Sequence, residues 1–208
     1  MANATIVGGE LFTWTFLDDF GAADVSGIST GELDLGDGTI DKLLHIATAQ
    51  TVNGTAGIGL NIEVYGKAGA NNEDYHLLGT LGAGGSAAIL TATMDEAVDA
   101  DVNGSHLHVD ATTVLDDADA TTGRWLLLDA TPANSELVKI IGWSDGAFFN
   151  LSQAVTLDHA DTGALFPATE QPFNVPNGIR YVQVIFSNKD TAANYYCHVS
   201  YSGVSDFV

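Results

Sequence analysis

Apolar and polar residues alternate along several short stretches of this chain, with the two-residue period of a β-strand that is buried on one face. Leu60, Ile62 and Val64 share one face of the clearest example. The stretches 124–128 and 181–186 are more continuously apolar, which is typical of strands covered on both faces. The pattern predicts strands at 58–66, 75–81, 179–187 and 194–202.

Turn residues separate these stretches. The chain has 23 glycines, and several follow an Asn or Asp, a pair that suits the positive φ angles of hairpin turns. No apolar period of the helical kind persists, and 93–98 is the one candidate for a short helical turn. The sequence therefore predicts an all-β fold, an antiparallel β-sandwich of jelly-roll-like type with an inserted small β domain. The clearest predicted turns are Asp37-Gly38, Asn53-Gly54, Asn103-Gly104, Asp145-Gly146 and Asn177-Gly178.

Two changes in composition predict the domain boundaries. Residues 81–86 are rich in glycine, and residues 166–178 hold three of the four prolines. We interpret 1–82 with 173–208 as the β-sandwich and 83–172 as a β domain inserted into it. One continuous sandwich with an elaborate loop is the alternative that the sequence leaves open.

The chain is strongly acidic. Its 208 residues include 27 Asp and Glu but 6 Lys and Arg, which gives a formal net charge of −21. Nucleic acids and anionic membranes attract clustered cations, whereas the basic residues here are spread singly along the sequence. We therefore expect no nucleic-acid partner, no membrane, and a self-repulsion that dissolved salt relieves. The basic residues are Lys42, Lys67, Arg124, Lys139, Arg180 and Lys189.

The N-terminal residues have neither the basic start nor the apolar run of a secretory signal, and no stretch approaches the ~18 apolar residues of a membrane span. Synthesis in the cytoplasm is therefore expected. The single cysteine, Cys197, lies within a strand pattern and is predicted to be a buried core residue.

The sharpest local motif is acidic. Asp99, Asp101 and Asn103 alternate before a glycine, and Asp110 follows, which is the spacing of a calcium loop with Asp in place of the final Glu. Alternate oxygen-bearing side chains around a glycine turn can supply the oxygens that calcium needs. The competing interpretation is an Asn-Gly hairpin with solvated acids, because residues 105–114 alternate like a strand where an EF-hand has its second helix.

A second candidate metal motif overlaps the first. His106 and His108 share one predicted strand face with Asp110, an arrangement that can present two imidazoles and a carboxylate to a transition metal. The alternative is a pair of exposed histidines opposite a buried face of Leu107 and Val109. No second strand offers an obvious fourth ligand.

Motifs for catalysis are missing from the sequence. It has no Gly-x-Ser-x-Gly elbow and no phosphate-binding glycine loop before a helix. The paired carboxylates of a glycosidase meet in space and leave no spacing to read in a sequence. We expect a non-enzymatic protein with no catalytic residues and no cofactor other than the candidate calcium.

Four segments in the middle of the chain share a pattern of strand and turn residues: Gly123–Asp129, Ser135–Gly142, Phe148–Leu151 and Thr156–Leu165. This pattern resembles a small β module that recurs in structural proteins of tailed phages. In that module a strand that opens with glycine is followed by a Glu-Val-x-x-Ile strand, a hairpin and a turn like x-His-x-x-Gly-Ala-x-Val. The resemblance implies a virion component, in which His159 satisfies backbone groups of a loop and Gly163 forms a tight turn.

The flanking segments 61–65, 75–80 and 179–184 are similar to a jelly roll of the kind used by carbohydrate-binding modules and viral coat components. The leading hypothesis is a decoration or cement protein on the outer capsid surface of a phage virion, where it would stabilise the shell. It would be a homo-oligomer whose partners are the major capsid protein and copies of itself.

Two alternative functions stay open. A tail or baseplate component would bind carbohydrate through exposed aromatic rings, and a calcium-dependent adhesion module would use the acidic motif. The candidate rings are Trp14, Trp143, Tyr65 and Tyr196.

Overall fold

The computed structural model describes residues 5–17, 27–37, 39–69, 74–89, 91–101, 104–109, 124–129, 133–144 and 148–205. Within these ranges the chain forms fourteen β-strands and no helix, so the predicted all-β, antiparallel and sandwich-like class is confirmed. The described residues accordingly contain no helix able to cross a membrane. The strands are β1 Thr5–Leu17, β2 Ile28–Ser29, β3 Leu33–Asp34, β4 Thr39–Gln50, β5 Leu60–Lys67, β6 His76–Ala83, β7 Ala92–Thr93, β8 His106–His108, β9 Trp125–Leu128, β10 Glu136–Ser144, β11 Phe148–Leu151, β12 Ala164–Asn174, β13 Tyr181–Asn188 and β14 Tyr195–Ser205.

The chain divides into two compact units. Unit 1 consists of Met1–Thr48, Gly54–Ala87 and Glu170–Val208, and unit 2 consists of Ala49–Asn53 and Ala88–Thr169. The sequence placed the inserted domain at 83–172. The short segment Ala49–Asn53, which ends β4, belongs to unit 2 and was not part of that prediction.

Unit 1 has a core between two layers of strands. In one layer β14 lies between β1 and β4, and in the other β13 pairs with β2, β3 and β5, and β6 follows β5. Alternate apolar residues of both layers face each other, as the two-residue period requires. The buried core residues include Leu44, Ile46, Leu60, Ile62, Val64, Val182, Val184, Phe186, Tyr195, Cys197 and Val199.

The four strands that the alternation predicted all form, as β5, β6, β13 and β14. β5, β6 and β13 lie in one layer, whereas β14 lies in the opposite layer. Tyr195, Cys197 and Val199 of β14 pack into the same core from the opposite layer. Alternation along a strand shows that one of its faces is buried, but it does not show to which layer the strand belongs. Cys197 is a buried core residue as predicted, and burial raises the pKa of its thiol.

In unit 2, β9, β10, β11 and β8 lie side by side in that order. On its other side β9 pairs with β12, and β12 also pairs with the short strand β7. Leu126, Leu127 and Leu128 of β9 are all fully buried, which confirms the prediction of a strand covered on both faces. The core of this unit also includes Met94, Val98, Leu107, Val138, Ile140, Phe149, Leu151, Val155 and Leu165.

The segment 93–98 is not the helical turn that the sequence indicated. It contains the end of β7 and two isolated β-bridges, Met94 with Val109 and Val98 with His159. Both apolar side chains are buried in the core of unit 2. The main-chain N–H groups of Met94 and Val98 donate to Gly163 and His159 instead of to a helical turn. Burial of the two side chains thus overrides the local helical preference.

The predicted Asn177-Gly178 turn is confirmed, with Gly178 at a φ of 90° between β12 and β13. Gly38, Asn103 and the Asp145-Gly146 pair lie outside the described residues, although β10 and β11 on either side of the last pair form the expected antiparallel hairpin.

Candidate functional site

The predicted calcium loop is only partly described. The Asp99 carboxylate accepts a hydrogen bond from the main-chain N–H of Asp101 at 2.9 Å, and the Asp158 carboxylate accepts one from Ala100 at 3.0 Å. Both acids thus stabilise a local turn. Asn103 and Asp110 lie outside the described residues, so the calcium site stays a prediction.

His106 and His108 lie on β8 as predicted, with Leu107 buried between them. Both imidazoles pack on the ring of Phe148, with ring centroids 4.6 Å and 5.1 Å away. The Nε2 of His108 lies 3.7 Å from a carboxylate oxygen of Glu96. Within the described ranges, no group of three or more His, Cys, Asp or Glu residues is placed to hold a metal ion.

Unit 1 contains a cluster of cations and tyrosine rings. Lys67 Nζ lies 2.6 Å from a carboxylate oxygen of Glu32, and it lies 4.8 Å from the ring centre of Tyr75 and 5.5 Å from that of Tyr181. The Tyr75 hydroxyl donates to the same Glu32 oxygen, and burial together with this bond raises the pKa of Tyr75 to about 12. The bonds from Lys67 and Tyr75 lower the pKa of Glu32.

Arg180 completes this cluster. Its guanidinium donates two hydrogen bonds to Asp34, at 2.9 Å and 2.8 Å, lies 3.3 Å from Asp37, and stacks 5.0 Å from the ring centre of Tyr181. Lys42, which is buried, donates to the main-chain oxygen of Ile179 at 2.6 Å. Lys42, Lys67 and Arg180 are distant in sequence but lie near one another in the fold. Because their charges face acids or a carbonyl, they form no open basic patch.

A serine, a histidine and a glutamate meet on three neighbouring strands of unit 1. His45 Nδ1 lies 2.7 Å from Glu170 Oε1, and His45 Nε2 lies 3.0 Å from Ser202 Oγ. In the tautomer with the proton on Nδ1, that nitrogen donates to Glu170 and Nε2 accepts from the Ser202 hydroxyl. These contacts have the order of a nucleophile, a base and an orienting carboxylate.

A hydrolytic site also needs donors that bind the oxyanion. Ser202 lies on β14, whose neighbours are β1 on one side and β4 on the other. Main-chain N–H groups of such an interior strand point at the neighbouring strands and pair with them. The groups beside Ser202 are therefore engaged in the sheet, and we interpret the three side chains as a polar network that links β4, β12 and β14.

A buried polar network lies in unit 2 around His159, whose side chain is 0 % exposed. One ring nitrogen, Nδ1, lies 2.8 Å from an oxygen of Asp129, and the other, Nε2, lies 3.3 Å from an oxygen of Glu136. Glu136 also accepts main-chain hydrogen bonds from Thr156 at 2.7 Å and Leu157 at 3.2 Å. We call these three ionisable side chains the His159 clamp.

The His159 clamp favours the charged forms of His159 and Glu136. Burial disfavours the imidazolium, but the bonds to Glu136 and Asp129 outweigh burial and raise the pKa of His159. Burial is likewise outweighed at Glu136, where His159 and the two main-chain donors lower the pKa of the carboxyl. The expectation that the His159 side chain satisfies loop backbone groups was wrong, because it contacts two carboxylates.

Gly163 does form the expected turn, with its N–H donating to Ala160 at 2.9 Å. A Cβ at this position would lie 2.9 Å from a carboxylate oxygen of Asp129 and closer still to the side chain of Met94. Close packing against the His159 clamp is therefore a second reason for glycine here.

The aromatic rings proposed to bind carbohydrate have different environments. Tyr196 is fully buried, so its ring is not available to stack on a sugar. Tyr65 is half-buried on β5 and donates to Glu63 at 2.8 Å. Trp14 and Trp143 lie on β1 and β10, but their side chains are outside the described set.

An uncharged edge strand is the clearest surface feature of unit 1. Twenty consecutive residues, 75–94, contain no Asp, Glu, Lys or Arg, and β6 lies within them. The stretch 43–62 is also uncharged, but it supplies much of β4 and the start of β5, which are interior strands. β6 instead ends its sheet, with Leu77 54 % exposed.

Comparison with known proteins identifies no relative of this chain. No protein-family model matches it, and neither a curated protein nor a solved structure does so.

Proposed function

We propose that this protein is a non-enzymatic structural component of a virion, a decoration or cement protein on the outer surface of a phage capsid that stabilises the shell. The observation that carries the proposal is the charge that the folded chain presents to solvent. Carboxylates outnumber basic residues 27 to 6, and the basic groups are largely engaged within the protein. Those with internal contacts include Lys42, Lys67, Lys139 and Arg180.

This charge distribution favours an outside location. An acidic surface on which most cations are already engaged repels a packaged genome, since counterion release from DNA requires Lys and Arg that reach the phosphates. On the exterior, the same charge keeps particles apart in solution.

Binding to a capsid also needs surfaces at which acidic repulsion is weak. On β10, Ile140 is fully buried, whereas Ile141, the unpaired residue of a β-bulge between Ile140 and Gly142, is 60 % exposed. Ile141 is thus an apolar group that the core does not use, and we propose that it contacts the major capsid protein. A ligand that binds only the assembled shell stabilises the shell by mass action.

Mixing the purified chain with undecorated capsids tests this function. We expect stoichiometric binding and a higher temperature of shell disruption, and we expect the Ile141→Glu variant to bind at least about tenfold more weakly because it buries a charge. Thr169→Glu, at an exposed position of β12, is the matched control and should bind like the native chain. Copurification with tails alone, or equal binding by Ile141→Glu, would contradict the proposal.

A further inference from the structure

β6 has outward-facing main-chain groups that no described strand uses. The Gly82 carbonyl accepts a hydrogen bond from the Gln171 side chain at 3.0 Å, so it points away from β5. Alternate residues of a strand share this direction, which places the N–H and C=O groups of Thr80 on the same outer edge. Thr80 and Gly82 are both exposed.

Natural proteins protect such edges with charges, prolines, bulges or covering groups, because an open edge is a template for another strand. β6 lacks charges and proline. It has a bulge at Leu78, between the pairs Val64 with Gly79 and Tyr65 with Leu77, and the one side-chain cap from Gln171. Among the residues that the structure describes, the regular part of the edge, Gly79–Ala83, therefore has no pairing strand on its outer side and one neutral side-chain cap.

Charge identifies the partner. Two copies of a chain with a net charge of −21 repel each other over most of their surfaces, so they can pair only where charge is absent. Residues 75–94 are such a segment, whereas a basic partner would be recognised by acidic residues that this edge does not carry. An uncharged edge on an acidic protein thus favours a second copy of the same chain.

We propose that β6 pairs antiparallel with β6 of a second copy about a two-fold axis. In the register that uses the outward groups, Thr80 of one copy lies opposite Gly82 of the other, and the two exchange N–H and C=O hydrogen bonds on each side of the axis. Leu81 then faces its own counterpart at the axis. Gln171 is displaced from Gly82 and limits the strength of the pairing. The pairing does not depend on the capsid role, so either can fail alone.

Analytical ultracentrifugation of the full chain and its variants tests the pairing. We expect reversible dimers that strengthen between about 0.02 M and about 0.5 M salt, as screening predicts. Thr80→Pro removes an outward N–H that β5 does not use and should weaken dimerisation at least about tenfold, while Thr80→Val keeps the N–H and should dimerise like the native chain. Gln171→Ala should strengthen dimerisation.

Crosslinking gives an independent readout that does not rely on how β6 tolerates proline. Leu81→Cys should form an intermolecular disulfide under mild oxidation, because directly opposed residues in this register lie within disulfide reach. Leu77→Cys, at an exposed position away from the axis, is the control and should crosslink much more slowly. A monomer at every salt concentration, equal dimerisation of Thr80→Pro and Thr80→Val, or equal crosslinking at 77 and 81 would overturn the pairing.

Discussion

Replacing His159 with alanine should lower the free energy of unfolding of unit 2 by about 3–5 kcal/mol, the cost typical of removing one partner from a buried ion pair. The substitution leaves Asp129 and Glu136 facing each other without the imidazolium between them. It also opens a cavity at a side chain that is completely buried. Denaturant unfolding, combined with hydrogen exchange of peptides from 88–169, measures the loss.

The pH dependence of this loss has a defined sign. The pKa of His159 is raised from 6.5, so its contribution is present below pH 6.5 and is lost as the pH rises through the folded-state pKa. The pKa of Glu136 is lowered from 4.5, so its contribution is present above pH 4.5 and is lost as the pH falls through the folded-state pKa. The difference in the free energy of unfolding between the native chain and His159→Ala should therefore be largest between pH 4.5 and pH 6.5.

His76→Ala is the matched control for His159→Ala, because His76 is exposed on β6. It should leave the stability of unit 2 unchanged. If His159→Ala lowers the free energy of unfolding equally at about pH 5.5 and about pH 9, the buried ring is neutral. That result would contradict stabilisation by charge pairing in the His159 clamp.

Replacing Asp190 with alanine should destabilise unit 1 by about 1.5–3 kcal/mol, the range typical of a hydrogen bond to a charged group, because the main-chain donors of Thr55 and Ala192 are only partly buried and water can replace the lost acceptor. Asp190 is 2 % exposed. Its carboxylate accepts the main-chain N–H of Thr55 and, at 3.0 Å, that of Ala192, and so joins the loop before β5 to the loop before β14. In Asp190→Ala, the rate of amide hydrogen exchange should rise in peptides from 54–87 and 170–205, and it should change little in peptides from unit 2.

The contribution of Asp190 also depends on pH. Burial is outweighed by the hydrogen bonds from Thr55 and Ala192, which lower the pKa of Asp190 from 3.8. Its stabilisation is present above pH 3.8 and is lost as the pH falls through the folded-state pKa, and Asp190→Ala should lack this loss. Asp37→Ala, at a side chain that is 90 % exposed, is the control. Equal destabilisation by the two variants would contradict the role of Asp190.

The strands were predictable because their cause is local. Leu60, Ile62 and Val64 alternate with polar neighbours, and the continuous apolar run of β9 follows from burial on both faces. Layer assignment was not predictable in the same way. The core residues of β14 have the same period in either layer, so only the long-range packing of the chain decides between them.

The polar networks were less predictable, because their members meet across long stretches of sequence. Glu170 and Ser202 lie 125 and 157 positions after His45, and no motif spacing links the three residues. His159 was recognised as a structural residue, but its partners were not, since they lie 30 and 23 positions away. Burial of a histidine in an acidic chain is the physical signal that would have indicated paired carboxylates.

Locating the protein on intact particles by electron microscopy with a gold-labelled antibody tests the proposed function most directly. We predict label distributed over the outer surface of the capsid and retained while the shell is intact. Label confined to tails, or particles that carry none of the protein, would contradict a role in capsid decoration.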